Sequence, residues 1–304
     1  TRIWSESGWV CAKLLKRALK RWVPLYESVY GAIAEPHREK LFLVSAATID
    51  RLLNGARRKA GKGKSLTKPG SLLRNEIEIC GSIWDETRPG FVEADTVAHC
   101  GSSSQGPFVL SVTLTDIATQ WTESRAIWTK TAERVVEAIK DIETSMPFPI
   151  QGFDCDNGSE FLNDHLVRYF KNKKIPLTRS RPYRKNDNAH VEQKNWMHAR
   201  TLFGYGRFEN PDLVPVMNDI YKNLWSPYKN SFIPGMKLKE KIRVGSRIVR
   251  KYDEPMCPYD RVMASPHVSE EKKQQLTEWM KTLNPFLLKA EIDKRMNLVR
   301  KLAR

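Results

Sequence analysis

Three things are scarce in this chain of 304 residues: acid, cysteine and long apolar runs. Asp and Glu number 35 against 51 Lys and Arg, leaving a formal charge of +16. Such an excess disfavours acidic or cationic partners and points to a polyanion, most often nucleic acid. The five cysteines (Cys11, Cys80, Cys100, Cys155, Cys257) are scattered without a CxxC pair. That pattern excludes a disulfide framework and, with no Cys/His cluster at ligand spacing, a structural zinc site. It is the pattern of reduced thiols in a cytoplasmic protein. No apolar run could span a membrane as a helix and no signal peptide is present, so no membrane partner is expected.

An apolar fraction of 40% suffices for ordinary cores, and the length for two or three domains. Periodicity predicts a helix over 7–22, an interruption at Pro24, a second helix over 25–34 and a third from Pro36 to about Val44. Ser45 reads as the N-cap of a fourth, Ala46 to Lys59. Its inner face is expected to carry Ile49, Leu52, Leu53 and Ala56, leaving Thr48, Arg51, Asn54, Arg57 and Arg58 outside. Residues 1–60 therefore suit an all-α helix-turn-helix DNA-reading region; a plain bundle with a solvated face is the alternative. From Arg51 to Arg74 eight basic residues occur with no acid, among them Lys62, Lys64 and Lys68. Gly61, Gly63, Pro69 and Gly70 break regular structure there. Residues 61–88 suit a basic linker that tracks phosphates, or a free solvated one.

From Gly90 the period changes to two. Strands are expected over 91–100, 108–116 and 121–128, then a helix over 131–146, a short strand over 149–153, a helix from Phe161, a strand over 176–180 and a helix from Ala189 to about Phe203. Three strands in succession followed by helix–strand alternation predict a mixed five-stranded sheet flanked by helices, the order of an α/β RNase H-like core, over 89–235. Beyond it lie a basic stretch, Lys237 to Lys251, with Arg247 and Arg250, and two helices that form a C-terminal extension, completing 236–304. A short β piece is expected in the basic stretch and a second phosphate-binding surface with it.

Three carboxylates stand out. Asp95 lies mid-strand in Glu93-Ala94-Asp95-Thr96, where a charge costs several kcal/mol, by rough estimate, unless it is paired or binds a cation. Asp156 follows a short buried strand in Asp156-Asn157-Gly158-Ser159-Glu160-Phe161. Glu192 opens a helix after Asp187-Asn188-Ala189-His190-Val191, with 35 residues between it and Asp156. Asn157-Gly158 is also a good turn signal in its own right. Asp154 competes for the second position, and Glu93 and Asp116 for the first.

In these motifs and their spacing the chain resembles the integrase-type DDE transposases of bacterial insertion sequences and, more distantly, retroviral integrases. The resemblance is strong over about 89–205. It implies Asp95, Asp156 and Glu192 as catalytic residues and as ligands of two Mg²⁺ or Mn²⁺ ions, since Mg²⁺ takes oxygen ligands and two ions can activate the attacking and leaving oxygens of an in-line phosphoryl displacement. It implies cleavage at the 3′ end of a mobile element by water, then attack of the freed hydroxyl on target DNA. Transposon-end DNA and target DNA are the expected partners. A homodimer or higher homo-oligomer on DNA is expected because one site cannot hold two ends, and the expected place is the bacterial nucleoid. Arg181, Arg184 and Lys185, with Arg179, form a basic approach to the site, and Asn188 and Lys194 flank Glu192 where they can touch DNA. Two rivals stay open: an RNase H-like structure-specific nuclease that cuts without joining, and a domesticated non-catalytic DNA-binding protein.

Overall fold

A computed structural model describes residues 1–59, 87–155, 164–179, 196–244 and 247–303. They fall into two compact units. One comprises the described residues of Thr1–Glu78, Ser231–Cys257 and Asn284–Leu287; the other comprises those of Ile79–Asn230, Pro258–Leu283 and Leu288–Arg304.

In the first unit a short α1 (Arg2–Glu6) precedes α2 (Ala12–Tyr30), α3 (Glu35–Leu43) and α4 (Ala46–Lys59). The expected break at Pro24 does not occur. α2 runs through it, because Pro24 removes only one backbone donor while the neighbouring Trp22 and Val23 are fully buried. Trp22 donates its indole N–H to the Phe232 carbonyl at 3.0 Å and meets the Phe286 ring edge-on at 5.2 Å. The chain instead breaks at Gly31, whose φ of 94° takes the left-handed side that a residue with Cβ resists. α4 starts where its cap predicts: Ser45 Oγ accepts the Thr48 N–H at 3.1 Å. Its buried stripe is narrower than expected. Ile49 and Leu53 are buried and Ala56 packs beside them, but Leu52 is 74% exposed. It lies about 100° round the helix from Leu53, off the line that faces α2.

This unit also holds β6 (Leu238–Val244) and β7 (Arg247–Tyr252), an antiparallel pair, where the sequence permits a short β piece.

The second unit is built on a five-stranded sheet in the order β3-β2-β1-β4-β5. β1 (Phe91–Ala98), β2 (Val109–Asp116) and β3 (Thr122–Trp128) form an antiparallel meander, and β4 (Gly152–Cys155) and β5 (Leu177–Arg179) add parallel to β1. Helices α5 (Ala132–Ser145) and α6 (Asp164–Lys173) make the crossovers. Strand order, strand directions and flanking helices are those of an RNase H-like, integrase-core architecture. β4 starts three residues later than its apolar run suggests. Pro149 has no N–H for the ladder, and Gln151 N–H is spent on the Gly90 carbonyl at 2.7 Å before β4 begins.

One face of the sheet is apolar. Val92, Ala94, Leu110, Val112, Leu114, Phe153 and Cys155 pack with Val135, Val136, Ile139 and Ile142 of α5 and with Leu166 and Phe170 of α6. Further helices follow: α7 (a π turn, Trp196–Arg200, running into Thr201–Phe203), α8 (Leu213–Asp219, a π turn Ile220–Trp225, then Ser226–Phe232), α9 (Pro258–Ala264), α10 (Glu270–Lys281) and α11 (Pro285–Leu302). The stretch after Trp225 is helical despite Pro227, which falls where a helix continuing from a π turn can lose a donor. α9 escapes the sequence reading: its seven residues carry too few periodic positions, yet Tyr259 and Val262 join the sheet's core. Leu276 of α10 lies in the same core, with Trp279 and Met280 packed against it, so the extension has the docking surface that its apolar stripe requires.

The outer edge of β3 is closed by two amides from α8. Asn230 Oδ1 accepts the Thr122 N–H and Asn230 Nδ2–H donates to the Thr122 carbonyl, both at 3.0 Å. Asn218 does the same for Ala126 at 2.7 and 2.9 Å. Edge backbone that would otherwise invite another strand is thereby satisfied.

Candidate active site

Period-two alternation along β1 sends Val92 and Ala94 to the apolar face and Glu93 and Asp95 to the other. That second face carries polar residues on all five strands: Thr113 and Ser124 lie in register beside Asp95, and Thr115, Thr122, Asp154 and Thr178 lie beside Glu93. Hydroxyl pairs at 3.1 Å (Thr113–Ser124) and 3.2 Å (Thr115–Thr122) satisfy its interior. Asp95 is half-buried, and one carboxylate oxygen accepts the Thr96 N–H at 2.7 Å.

The register decides where the chemistry can gather. Ala94 pairs with Cys155. The residue after Ala94 is Asp95, and the residue after Cys155 is Asp156. β5 reaches the same level, with Arg179 paired to Cys155. This register is pinned at Gly90. Its N–H is held by Asp116 Oδ1 at 2.7 Å, its carbonyl by Gln151 N–H, and a Cβ at Gly90 would lie 2.6 Å from the Pro149 carbonyl oxygen. With φ at +114° the position takes glycine for two independent reasons.

The rivals for the carboxylate positions separate on geometry. Asp116 is fully buried, with Oδ2 accepting Thr119 N–H at 2.7 Å and Thr119 Oγ1–H at 2.6 Å, so it is a turn and register anchor rather than a ligand. Asp154 accepts a hydrogen bond from Thr178 Oγ1. Glu93 is buried beside it on the same rung. These neighbours were findable in the sequence, because residues two apart in a strand share a face.

Asp156, Glu192, Arg181, Arg184, Lys185, Asn188, Lys194, Lys62, Lys64 and Lys68 lie outside the described residues. Among the described residues no group of three or more His, Cys, Asp or Glu side chains is placed to hold a metal. The donors present on the polar face are carboxylates and hydroxyls, the hard oxygen chemistry that Mg²⁺ and Mn²⁺ take. Of the other DNA-contact candidates, Arg51 and Asn54 are exposed on α4 and Thr48 is half-buried, with its hydroxyl accepting from Arg51 at 3.1 Å. Arg57 is tied to Asp50 at 2.7 Å and lies 5.8 Å from the Trp4 ring, which makes it in part a packing residue. Arg58 lies in the last turn of α4, Arg247 opens β7 and Arg250 is exposed on β7. α4 and the β6–β7 pair belong to one unit and Asp95 to the other.

Further along the polar face, His99 is completely buried. Its Nε2 is 2.8 Å from Ser111 Oγ, which also accepts from the Tyr221 hydroxyl at 2.8 Å. Its ring stacks on Phe208 at 5.1 Å. Burial, and secondarily the Arg200 guanidinium, lower its pKa to about 3. Tyr221 is pushed above the ordinary phenol range by burial. A cavity of about 250 Å³ bounded by Trp121, Glu123, Lys222, Ser226, Leu276 and Trp279, among others, takes no lining residue from β1, β4 or β5 and is not this site.

No family model matches the chain. A curated protein of Sinorhizobium fredii (strain NBRC 101917 / NGR234), the uncharacterized protein y4rM, is 39% identical over 270 residues, which is 85% of this chain and 75% of that protein. The chain belongs to the y4rM family. A match of that length extends beyond the sheet-bearing core, so the family shares flanking regions as well. Solved structures similar to the chain include the HTLV-2 integrase catalytic core domain in complex with magnesium (dimeric form), at 13% identity over 50% of this chain and 93% of that one with a TM-score of 0.37. The BIV integrase catalytic core domain follows at 16% identity, 38% and 68% coverage and a TM-score of 0.31. A chain of the simian T-cell lymphotropic virus intasome in complex with PP2A regulatory subunit B56 gamma gives 14% identity and a TM-score of 0.34, covering 38% of this chain and 41% of that one. The resemblance to integrase catalytic cores is distant. In the y4rM family member described here the fold rests on its own strand order and register.

Proposed function

We propose that this y4rM-family protein is a metal-dependent DNA transposase, a polynucleotidyl transferase that cuts the 3′ ends of a mobile element and joins them to target DNA. The observation that carries the reading is the parallel pairing of Ala94 with Cys155, since Asp95 and Asp156 are the residues that follow these two in the sequence. The 35-residue interval from Asp156 to Glu192 supplies the third carboxylate. Asp95, Asp156 and Glu192 would hold two Mg²⁺ or Mn²⁺ ions. When bound, such ions activate the attacking oxygen and stabilise the leaving oxygen of an in-line phosphoryl displacement.

The chain's own contribution is placement. β1 holds Asp95 against the Thr96 amide, and the clamp at Gly90 sets β1 against β4. The polar, hydroxyl-lined face allows a carboxylate cluster beside the sheet at lower desolvation cost than an apolar one would. Arg181, Arg184 and Lys185, with Asn188 and Lys194, neutralise phosphates at the site. Thr48, Arg51 and Asn54 read DNA from α4 as the second helix of a helix-turn-helix, with Arg57, Arg58, Lys62, Lys64 and Lys68 on the backbone. Two ends require two protomers or more.

The test is strand transfer with Mg²⁺ or Mn²⁺, terminal DNA of the source element bearing a free 3′-hydroxyl, and a supercoiled plasmid. Wild type forms joined product; Asp95→Asn and Glu192→Gln do not, while all three bind the DNA alike. Nicking without joining supports a nuclease of the same fold. Binding by wild type without either reaction overturns catalysis altogether.

A further inference from the structure

The β6–β7 pair exposes most of its described side chains. Arg243, Val249, Arg250 and Lys251 are exposed and Ile242 is half-exposed. Its base is well fastened. Gly235 and Met256 exchange backbone hydrogen bonds at 2.9 and 3.0 Å, Asp253 N–H meets the Lys237 carbonyl at 2.9 Å, and Asp253 Oδ1 takes the Lys237 N–H at 2.6 Å. The result is a ribbon rooted at one end, with its described side chains exposed or half-exposed. A two-stranded ribbon has little stability of its own in water.

Its two faces differ in charge. The register pairs Glu240 with Lys251 and Ile242 with Val249 on one face, where the acid and base meet at 3.2 Å. The Val244–Arg247 pair completes that face; on the other, Lys241 stands opposite Arg250 and the next rung sets Arg243 opposite Ile248. Like charges directly opposite on an exposed sheet are destabilising. Across 237–251 seven basic residues meet one acid. A marginal ribbon that stacks cations on a single face is relieved by a polyanion laid along that face.

We propose that the Lys241–Arg243–Arg250 face of this ribbon lies on the sugar–phosphate backbone of duplex DNA. The inference shares with the transposase reading only its choice of DNA as partner. β6 spans roughly 23 Å, over which a duplex carries about one phosphate charge every 1.7 Å, and a two-stranded ribbon is slim enough for the major groove.

The experiment is fluorescence anisotropy of the full chain on random-sequence duplex DNA in EDTA, at 50 and 200 mM salt, so that no catalysis is needed. The face variant is Lys241→Ser/Arg243→Ser/Arg250→Ser, and the opposite-face control is Ile242→Thr/Val249→Thr. Removing three phosphate contacts lowers the slope of log K against log salt by about 2.7. The advantage of wild type over the face variant then shrinks about fortyfold between the two salts, while the control keeps the wild-type slope. Arg243→Lys/Arg250→Lys, which preserves charge with little change to the strand, also keeps it. Equal slopes for wild type and the face variant overturn the proposal. So does an equal loss in face variant and control, or a lost slope in the charge-preserving variant, since the ribbon's fold rather than its cations would then matter. Self-association abolished by the control, with DNA binding unmoved by the face variant, would make the ribbon a contact between copies instead. A wild type that shows the slope change but never joins DNA sinks the transposase reading and leaves this one standing.

Discussion

His99 makes the fold acid-sensitive in a way that one substitution should reveal. Burial holds its pKa near 3 against an ordinary 6.5, with Arg200 adding to the shift. A neutral imidazole in the folded state and a protonated one in the unfolded state mean that the unfolded chain binds the extra proton. This stabilisation is therefore fully present above pH 6.5 and is lost as pH falls towards 3. At 1.36 kcal/mol per unit the whole window is worth ~5 kcal/mol, and the part between pH 6.5 and 4 about 3 kcal/mol. His99→Phe removes the titration, and its ring can occupy the same slot between Phe203 and Phe208. Ser111 Oγ keeps its bond from Tyr221. Carboxylates elsewhere lose stability in acid in both proteins, so the difference between them isolates His99. The measurement is urea denaturation followed by hydrogen exchange in β1 and β2 peptides from pH 7 to 4. The variant should gain on wild type by about 3 kcal/mol across that range. A gap that stays constant from pH 7 to 4 refutes the reasoning.

Arg125→Met should cost about 3–5 kcal/mol, because it strips the fully buried Glu123 of its cation and frees Asp141 and Ser145. Burial already raises the Glu123 pKa, so the loss should be larger at pH 7 than at pH 5, and adding Glu123→Gln should restore much of the stability in a thermal-unfolding cycle. Gly90→Ala should destabilise by more than 1 kcal/mol and, by slipping β4 against β1, reduce strand transfer beyond what its melting temperature explains. Activity that follows folded fraction alone would count against the clamp. The carboxylate variants and the ribbon variants described above complete the set.

How far the sequence reached is clearest in particular elements. The Ser45 cap, the stripes of α5 and α10 and the alternation in β1 to β3 are local signals, carried by residues one to four apart, and they place these elements within a few residues. Pro24 misleads because the helix is held by Trp22, whose partners Phe232 and Phe286 lie more than 200 positions away. Leu52 misleads because helical spacing gives a stripe's direction and not its width. The start of β4 moves because Gly90 takes the Gln151 donor, a contact across 61 positions.

The sequence by itself determined the fold class through its order of periods, and it pointed to a polyanionic partner through its charge and to a candidate chemistry through three carboxylates at family spacing. Only the tertiary structure told the described carboxylates apart. It removed Asp116 by burying it against Gly90 and Thr119, and it set Asp95 on the polar face with Glu93 and Asp154 beside it. Only the structure, too, divided the basic stretch after Gly235 into a face that pairs Glu240 with Lys251 and one that carries Lys241, Arg243 and Arg250 with Ile248. The reason is physical: composition and spacing fix what a segment can form, whereas strand register and burial depend on partners distant in the chain that meet only once it has folded.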